Sequence, residues 1–260
     1  MAYPCAFDQL LSKSVPHILE NIFFSLDYDS YKKCIEVNNI WKELLASEQF
    51  KKKAKSKFHE RMLQDEKELL RYAKDGVVDK LDVLLSIGCN PNCQTIGPWW
   101  EGGGRTALHW AASKGHTAVV KLLINFWADI NLKDELRETP LMKAVCYESA
   151  GVVKLLLDAG AQPNAADGIG RTPLYHAIKN GYNDVVKILL EAGAGHTTNN
   201  FGITALHQAA SIGNTHVVIR LLKAGADPNV AYFHKTPLSV ALIKGHKNVV
   251  KVLLEAGAKP

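Results

Sequence analysis

The chain has 260 residues and a net charge of +5, with 47% of its residues hydrophobic and 22% charged. That balance fits a folded chain in water, and +5 is too mild to imply a nucleic-acid partner, which needs a focused basic face. Five cysteines without framework spacing point to a reducing compartment. No run of eighteen apolar residues offers a membrane span, and Met1-Ala2-Tyr3-Pro4-Cys5 lacks the pattern of a signal peptide. The expected location is the cytoplasm, with the nucleus as a second compartment.

Residues 1–13 form a short lead without a clear pattern. Ile18, Leu19, Ile22, Phe23 and Leu26 then recur at helical spacing, with Pro16 just ahead, where a missing N–H costs little. Asp27-Tyr28-Asp29-Ser30 reads as a break followed by a cap. A second helical stretch offers Tyr31, Cys34, Ile35, Val37, Trp41, Leu44 and Leu45 as its apolar side. Helices this few and short bury too little surface to be robust alone, so the segment predicts a partner or a neighbouring domain. The basic run from Lys51 to Arg61 is followed at once by Asp65, Glu66 and Glu68 and has no interleaved aromatic residues. It reads as a solvated helix, over residues 54–66, joining two domains rather than as a nucleic-acid arm.

From about Lys67 the chain repeats itself. Thr106 recurs as Thr139, Thr172, Thr204 and Thr236, at intervals of 33, 33, 32 and 32 residues. Thirteen residues after each Thr comes a valine pair, from Val119-Val120 to Val249-Val250. A fixed period near 33, carried by helix–turn–helix units, predicts an all-α stacked solenoid with finger loops over residues 67–260. Six units begin near Lys67, Gly104, Asp134, Asp167, Asn200 and Tyr232, the first lacking the Thr-Pro-Leu opening.

Each unit predicts its own anatomy. Thr caps a first helix, Pro140, Pro173 and Pro237 occupy its first turn, small residues such as Ala111-Ala112 allow close packing, and Gly115, Gly181, Gly213 and Gly245 end it. A second Gly, as at Gly160, Gly193, Gly225 and Gly257, ends the second helix. Phe126-Trp127 replaces Ala-Gly in the second unit, so a bulky residue is expected at a strained cap. Arg220 takes the place of a presumed core Leu, and Thr197 that of an Asn. An insert, Ile96 to Gly104, lengthens the finger between the first two units and carries Trp99 and Trp100.

No catalytic constellation can be assembled. The insert has no Lys-Ser or Lys-Thr after its glycines, as a phosphate loop would need. Cys89 and Cys93 have no second ligand pair for zinc. The expectation is a binding protein, not an enzyme, with no metal and no cofactor.

Two resemblances sharpen this. Pro16, Ile18-Leu19, Ile22-Phe23, Leu26-Asp27, Ser30, Cys34, Val37-Asn38 and Trp41 resemble the F-box, over residues 14–53. Ser14-Val15 stands where that family usually has Leu-Pro, and His17 where an acidic residue is common. Residues 67–260 resemble ankyrin repeats, the fourth unit most closely, and the resemblance implies that the helix turn holding His109 and His207 is structural. Together they imply a substrate-recognition subunit of a cullin-type ubiquitin ligase. Pro16, Leu19, Ile22, Phe23, Leu26 and Trp41 would bind a Skp-family adaptor and through it a cullin scaffold. The fingers and first-helix ends would hold a protein substrate through Trp99, Trp100, Leu136, Tyr147, Arg171, Phe201, Tyr232 and Phe233. Trp99 and Trp100 equally suit a finger folded back over the first repeat. Asn131, with Ile130 before it and Leu123 eight residues earlier, resembles ankyrin asparagines offered to a hydroxylase. The alternative is a non-ligase ankyrin scaffold or inhibitor whose N-terminal helices only cap the stack.

Overall fold

In a computed structural model of the chain, residues 59–98, 101–195 and 203–259 are described, with side chains from residue 64 onward. The F-box-like segment, most of the basic run, Trp99, Trp100, Thr197 and Phe201 lie outside them. The described residues form twelve helices: α1 (His59–Asp75), α2 (Val78–Ser86), α3 (Ala107–Lys114), α4 (Thr117–Asn125), α5 (Pro140–Cys146), α6 (Ala150–Asp158), α7 (Pro173–Asn180), α8 (Asn183–Glu191), α9 (Ala205–Ile212), α10 (Thr215–Lys223), α11 (Pro237–Lys244) and α12 (Lys247–Glu255). They divide between two compact units. One takes the residues up to Leu69 together with Asp79–Asn90, the other Leu70–Val78 and Pro91–Pro260.

In the first unit Leu69, Leu81, Leu84, Leu85 and Ile87 are fully buried. A Glu66 carboxylate oxygen accepts the Asn90 amide at 3.2 Å.

The second unit is a two-layer stack of five helix pairs. First helices pack on first helices (α3 on α5, α5 on α7, α7 on α9, α9 on α11), and second helices stack likewise from α4 to α12. Each first helix starts where its Thr lies in extended backbone and its hydroxyl accepts the amide three residues on, as Thr106 does from His109. In α3 and α9 the cap is reciprocal, with the histidine Nδ1 accepting the Thr amide at 3.2 and 3.3 Å. The valine pairs and the Leu three residues after them, such as Val152, Val153 and Leu156, supply the interior. Each such side chain contributes roughly 1.5–3 kcal/mol on burial.

Helix ends follow the glycines, with two exceptions. Gly115, Gly181, Gly213 and Gly245 take left-handed φ between 73 and 83°. The third unit has Glu148 at that place, at φ 56°. As expected, Trp127 occupies a second-helix cap at φ 59°, where the other repeats have glycine. It is 89% exposed, so no packing offsets the strain.

Arg220 differs from expectation. Its register position is only half-buried in the other repeats (Leu122, Leu155, Ile188), and Arg220 itself is exposed. The interior is filled by Val217, Val218 and Leu221, and the flank between them tolerates a charge.

Replacing Trp127 by Gly relieves the left-handed strain without removing a packed side chain. The expected gain is about 1 kcal/mol in urea unfolding, whereas a loss of stability would show the indole to be a packing element.

Candidate functional site

The finger bases of the third and fourth repeats are built alike, each around one aspartate. Asp134 Oδ1 accepts the amides of Leu136 (3.0 Å) and Glu138 (2.9 Å). Asp167 Oδ1 accepts those of Ile169 (3.0 Å) and Arg171 (2.8 Å). The second carboxylate oxygens meet cations. Asp134 Oδ2 lies 3.0 Å from Lys143 Nζ and 3.6 Å from Arg105 Nε, and Asp167 Oδ2 lies 2.8 Å from Arg171 Nε. Lys143 also pairs with Glu138. Burial raises the Asp167 carboxyl, but the Arg171 amide and guanidinium and the Ile169 amide outweigh it and hold the group below its ordinary range.

Lys143 occupies the position four residues after the capping Thr. Trp110, His176, Gln208 and Val240 hold the same place in the other stacked first helices. Trp110 carries the Lys74 ammonium 4.9 Å and the Arg105 guanidinium 4.8 Å from its ring, cation–π contacts of about 0.5–2 kcal/mol each. His176 is buried, its Nε2 3.4 Å from Asp167 Oδ2. This row was not anticipated from the sequence. A Lys and a His at the register of Trp110, in helices otherwise lined by small and apolar residues, were its only signal. Glu138, at the base of the finger, is buried beside Lys143, where its carboxylate answers that ammonium.

The residues expected to touch a substrate are dispersed. Leu136 and Ile169 project from finger tips, Tyr147 is exposed at the end of α5, and the Arg171 guanidinium is half-exposed against Asp167. Tyr232 and Phe233 form the sixth finger. Tyr232 and Lys235 exchange amide hydrogen bonds of 2.9 and 2.8 Å around Phe233 (φ 43°) and His234 (φ 60°). Two-residue turns with both φ positive normally use Asn-Gly, so this tip holds backbone strain. The Phe233 ring stands edge-on to Tyr232 at 4.8 Å and is 78% exposed.

The insert is anchored at its base. Thr95 exchanges backbone hydrogen bonds of 2.9 Å with Arg105 and Gly104, and its hydroxyl donates to the Gly102 carbonyl. A side chain at Gly103 would collide with the Gly97 carbonyl and the Glu135 carboxylate, so only glycine permits this closure. Ile96 is 99% exposed on it.

The histidines of α3 and α9 have the structural role expected of them. His109 Nδ1 faces the Thr106 hydroxyl at 2.8 Å, and its Nε2 donates to the Glu138 carbonyl of the next repeat at 3.0 Å. His207 does the same with Thr204 and Lys235. Burial holds His109 down to a pKa of about 4, despite the raising effect of the Glu138 carbonyl and Asp134. At Cys146, burial and then Glu138 push the thiol up.

The Asn131 amide links two repeats. Its Nδ2 donates to the Gly160 carbonyl at 3.3 Å and its Oδ1 accepts the Gln162 amide at 2.9 Å. Asn164 and Asn229 repeat this link one and three units on.

Comparison with known families decides the assignment. A model described as ankyrin repeats (3 copies) matches residues 69–167, 127–200 and 193–260. The chain belongs to the ankyrin-repeat family. Ankyrin repeats bind protein partners, which fits a face of exposed finger tips. No F-box model matches the chain. Among curated ankyrin proteins, 79 residues are 35% identical to E3 ubiquitin-protein ligase XBAT33 of Arabidopsis thaliana, covering 30% of this chain and 15% of that protein. A stretch of 69 residues is 50% identical to Ankyrin repeat-containing protein P1E11.10 of Schizosaccharomyces pombe, 26% and 30% of the two chains. A further match, 32% over 115 residues, is to Ankyrin repeat and SOCS box protein 6 of Pongo abelii, 44% and 25% of the two chains. The matched stretches thus span at most 30% of these relatives' lengths. Among the described residues no helix is long and apolar enough to cross a membrane.

The buried ankyrin histidines set a pH dependence. Burial lowers His109, His176 and His207 below the ordinary 6.5. Each therefore binds a proton more readily in the unfolded chain, and stability is lost as pH falls from about 6.5 towards 4. The urea midpoint is expected to be clearly lower at pH 5 than at pH 7.5, and equal midpoints would contradict neutral buried imidazoles.

Proposed function

We propose that this chain is the substrate-recognition subunit of a cullin-type ubiquitin ligase. Residues 14–53 form the adaptor-binding F-box, and the ankyrin repeats hold the substrate. The observation that carries this reading is the F-box-like run from Ser30 to Trp41 joined to an ankyrin stack in one short chain. Among the relatives, XBAT33 bears a ubiquitin-ligase name and another carries a SOCS box in its name, which favours the same class of assembly. Pro16, Leu19, Ile22, Phe23, Leu26 and Trp41 would enter a Skp-family adaptor. Catalysis would belong to a separate conjugating enzyme, with this chain supplying proximity and orientation.

The second reading, a non-ligase ankyrin scaffold or inhibitor, is favoured by the similarity to known proteins lying in the repeats. Co-expression with a Skp-family adaptor separates the two. The ligase reading expects a co-purifying complex that is lost in the double variant Leu19→Asp, Ile22→Asp, while no complex with the wild type would leave the scaffold.

On the substrate side the strained, exposed Phe233 tip suits an anchor, since interface energy concentrates in aromatic and Arg side chains. Phe233→Ala is expected to weaken a captured substrate about tenfold or more without changing adaptor binding. Asn131 is proposed as a hydroxylation site. Its Cβ becomes reachable once the links to Gly160 and Gln162 open, and mass spectrometry after co-expression with an asparaginyl hydroxylase should find one added oxygen there.

A further inference from the structure

Along the finger bases of the second to fourth repeats, buried carboxylates meet cations in turn. Arg105 faces Asp134, Asp134 faces Lys143, and Lys143 faces Glu138. At the other end Arg171 faces Asp167. Between Glu138 and Asp167 stands no cation but the His176 imidazole. Ligand atoms of Glu138, Asp167 and His176 all lie within 4.8 Å of one another, the only such trio among the described residues. His176 Nε2 has only the Asp167 carboxylate near it, at 3.4 Å and without good hydrogen-bond geometry, and its side chain is only 9% exposed. Each carboxylate already has one cation, Lys143 on Glu138 and Arg171 on Asp167, and the under-satisfied buried ring nitrogen between them is the kind of atom that an ion or water completes.

We propose that Glu138, Asp167 and His176 form a binding site for a divalent transition-metal ion of the zinc class. One imidazole nitrogen with two carboxylates suits Zn²⁺ or Co²⁺, whereas Ca²⁺ and Mg²⁺ call for six or more oxygen ligands. Tetrahedral zinc with bonds of about 2.0 Å sets its ligand atoms about 3.3 Å apart. The 3.4 Å between His176 Nε2 and Asp167 Oδ2 already matches that edge. Glu138 completes the set by turning its carboxylate from Lys143 towards His176. Asp167 is oriented by two backbone amides and the Arg171 guanidinium, the outer support that metal carboxylates use. The three ligands are buried, so a water would complete the tetrahedron.

Lys143 and Arg171 also set the limits of the site. Both repel an incoming cation, and Lys143 competes for Glu138, so micromolar rather than tighter binding is expected. The same competition makes the proposal specific, because removing Lys143 should strengthen binding.

The test is titration of the full chain at pH 7.5 with Co²⁺, followed by absorption, and with Zn²⁺, followed by calorimetry. One equivalent per chain is expected, with the spectrum of nitrogen and oxygen ligands and displacement of cobalt by zinc. His176→Gln and Asp167→Asn should each weaken binding about tenfold or more, and Lys143→Met should strengthen it several-fold, in variants whose circular dichroism matches the wild type. Absence of saturable binding, unchanged affinity in His176→Gln, or a thiolate-to-cobalt charge-transfer band placing the ion on cysteines would overturn the proposal. Should His176→Gln not fold, an affinity in Lys143→Met no tighter than wild type overturns it.

Discussion

In every described repeat of the stack a threonine hydroxyl accepts the amide three residues on, and that cap fixes where the first helix starts relative to the finger before it. The rest follows from the starting point. Ala111, Ala144, Ala177, Ala209 and Ala241 fall at the contacts between consecutive first helices. The valine pair of the second helix turns inward, and histidines such as His109 reach the carbonyl of the next finger. A helix begun one residue late would turn all of these away from their partners, because successive residues differ by about 100° around its axis.

The polar interior of the finger bases has a different role from the apolar core. Buried ion pairs such as Lys143 with Asp134 contribute little net stability, since desolvation offsets much of their attraction. Their effect is positional. With one carboxylate oxygen on two amides and the other on a cation, Asp134 and Asp167 hold their fingers in a defined shape, and the exposed Leu136 and Ile169 are presented from it.

Much of the stack was legible in the sequence, because threonine caps, proline first turns and glycine ends act locally and recur every 32 or 33 residues. Trp127 could be placed at positive φ for the same reason, as its neighbours in register are all glycine. What escaped detection lay across repeats. Glu138 and His176 meet because two units stack, and nothing in their separation along the chain encodes that meeting. Arg220 was misjudged because a valine-leucine helix looks apolar all round, while burial singles out only some of its positions. The finger aromatics could be named but not their posture. The positive φ of Phe233 and His234 comes from a two-residue turn built without glycine.

Ankyrin units are often pictured as interchangeable tiles. The charge chain through the finger bases makes these tiles individual. Arg105 finds its carboxylate only in the unit that follows, and Glu138 stands near His176 only because the fourth unit lies directly after the third. Exchanging those two units would offer Arg105 the equivalent Asp167 but would part Glu138 from His176. Each junction between these repeats thus carries its own set of polar contacts, so the units are alike in backbone and distinct in charge.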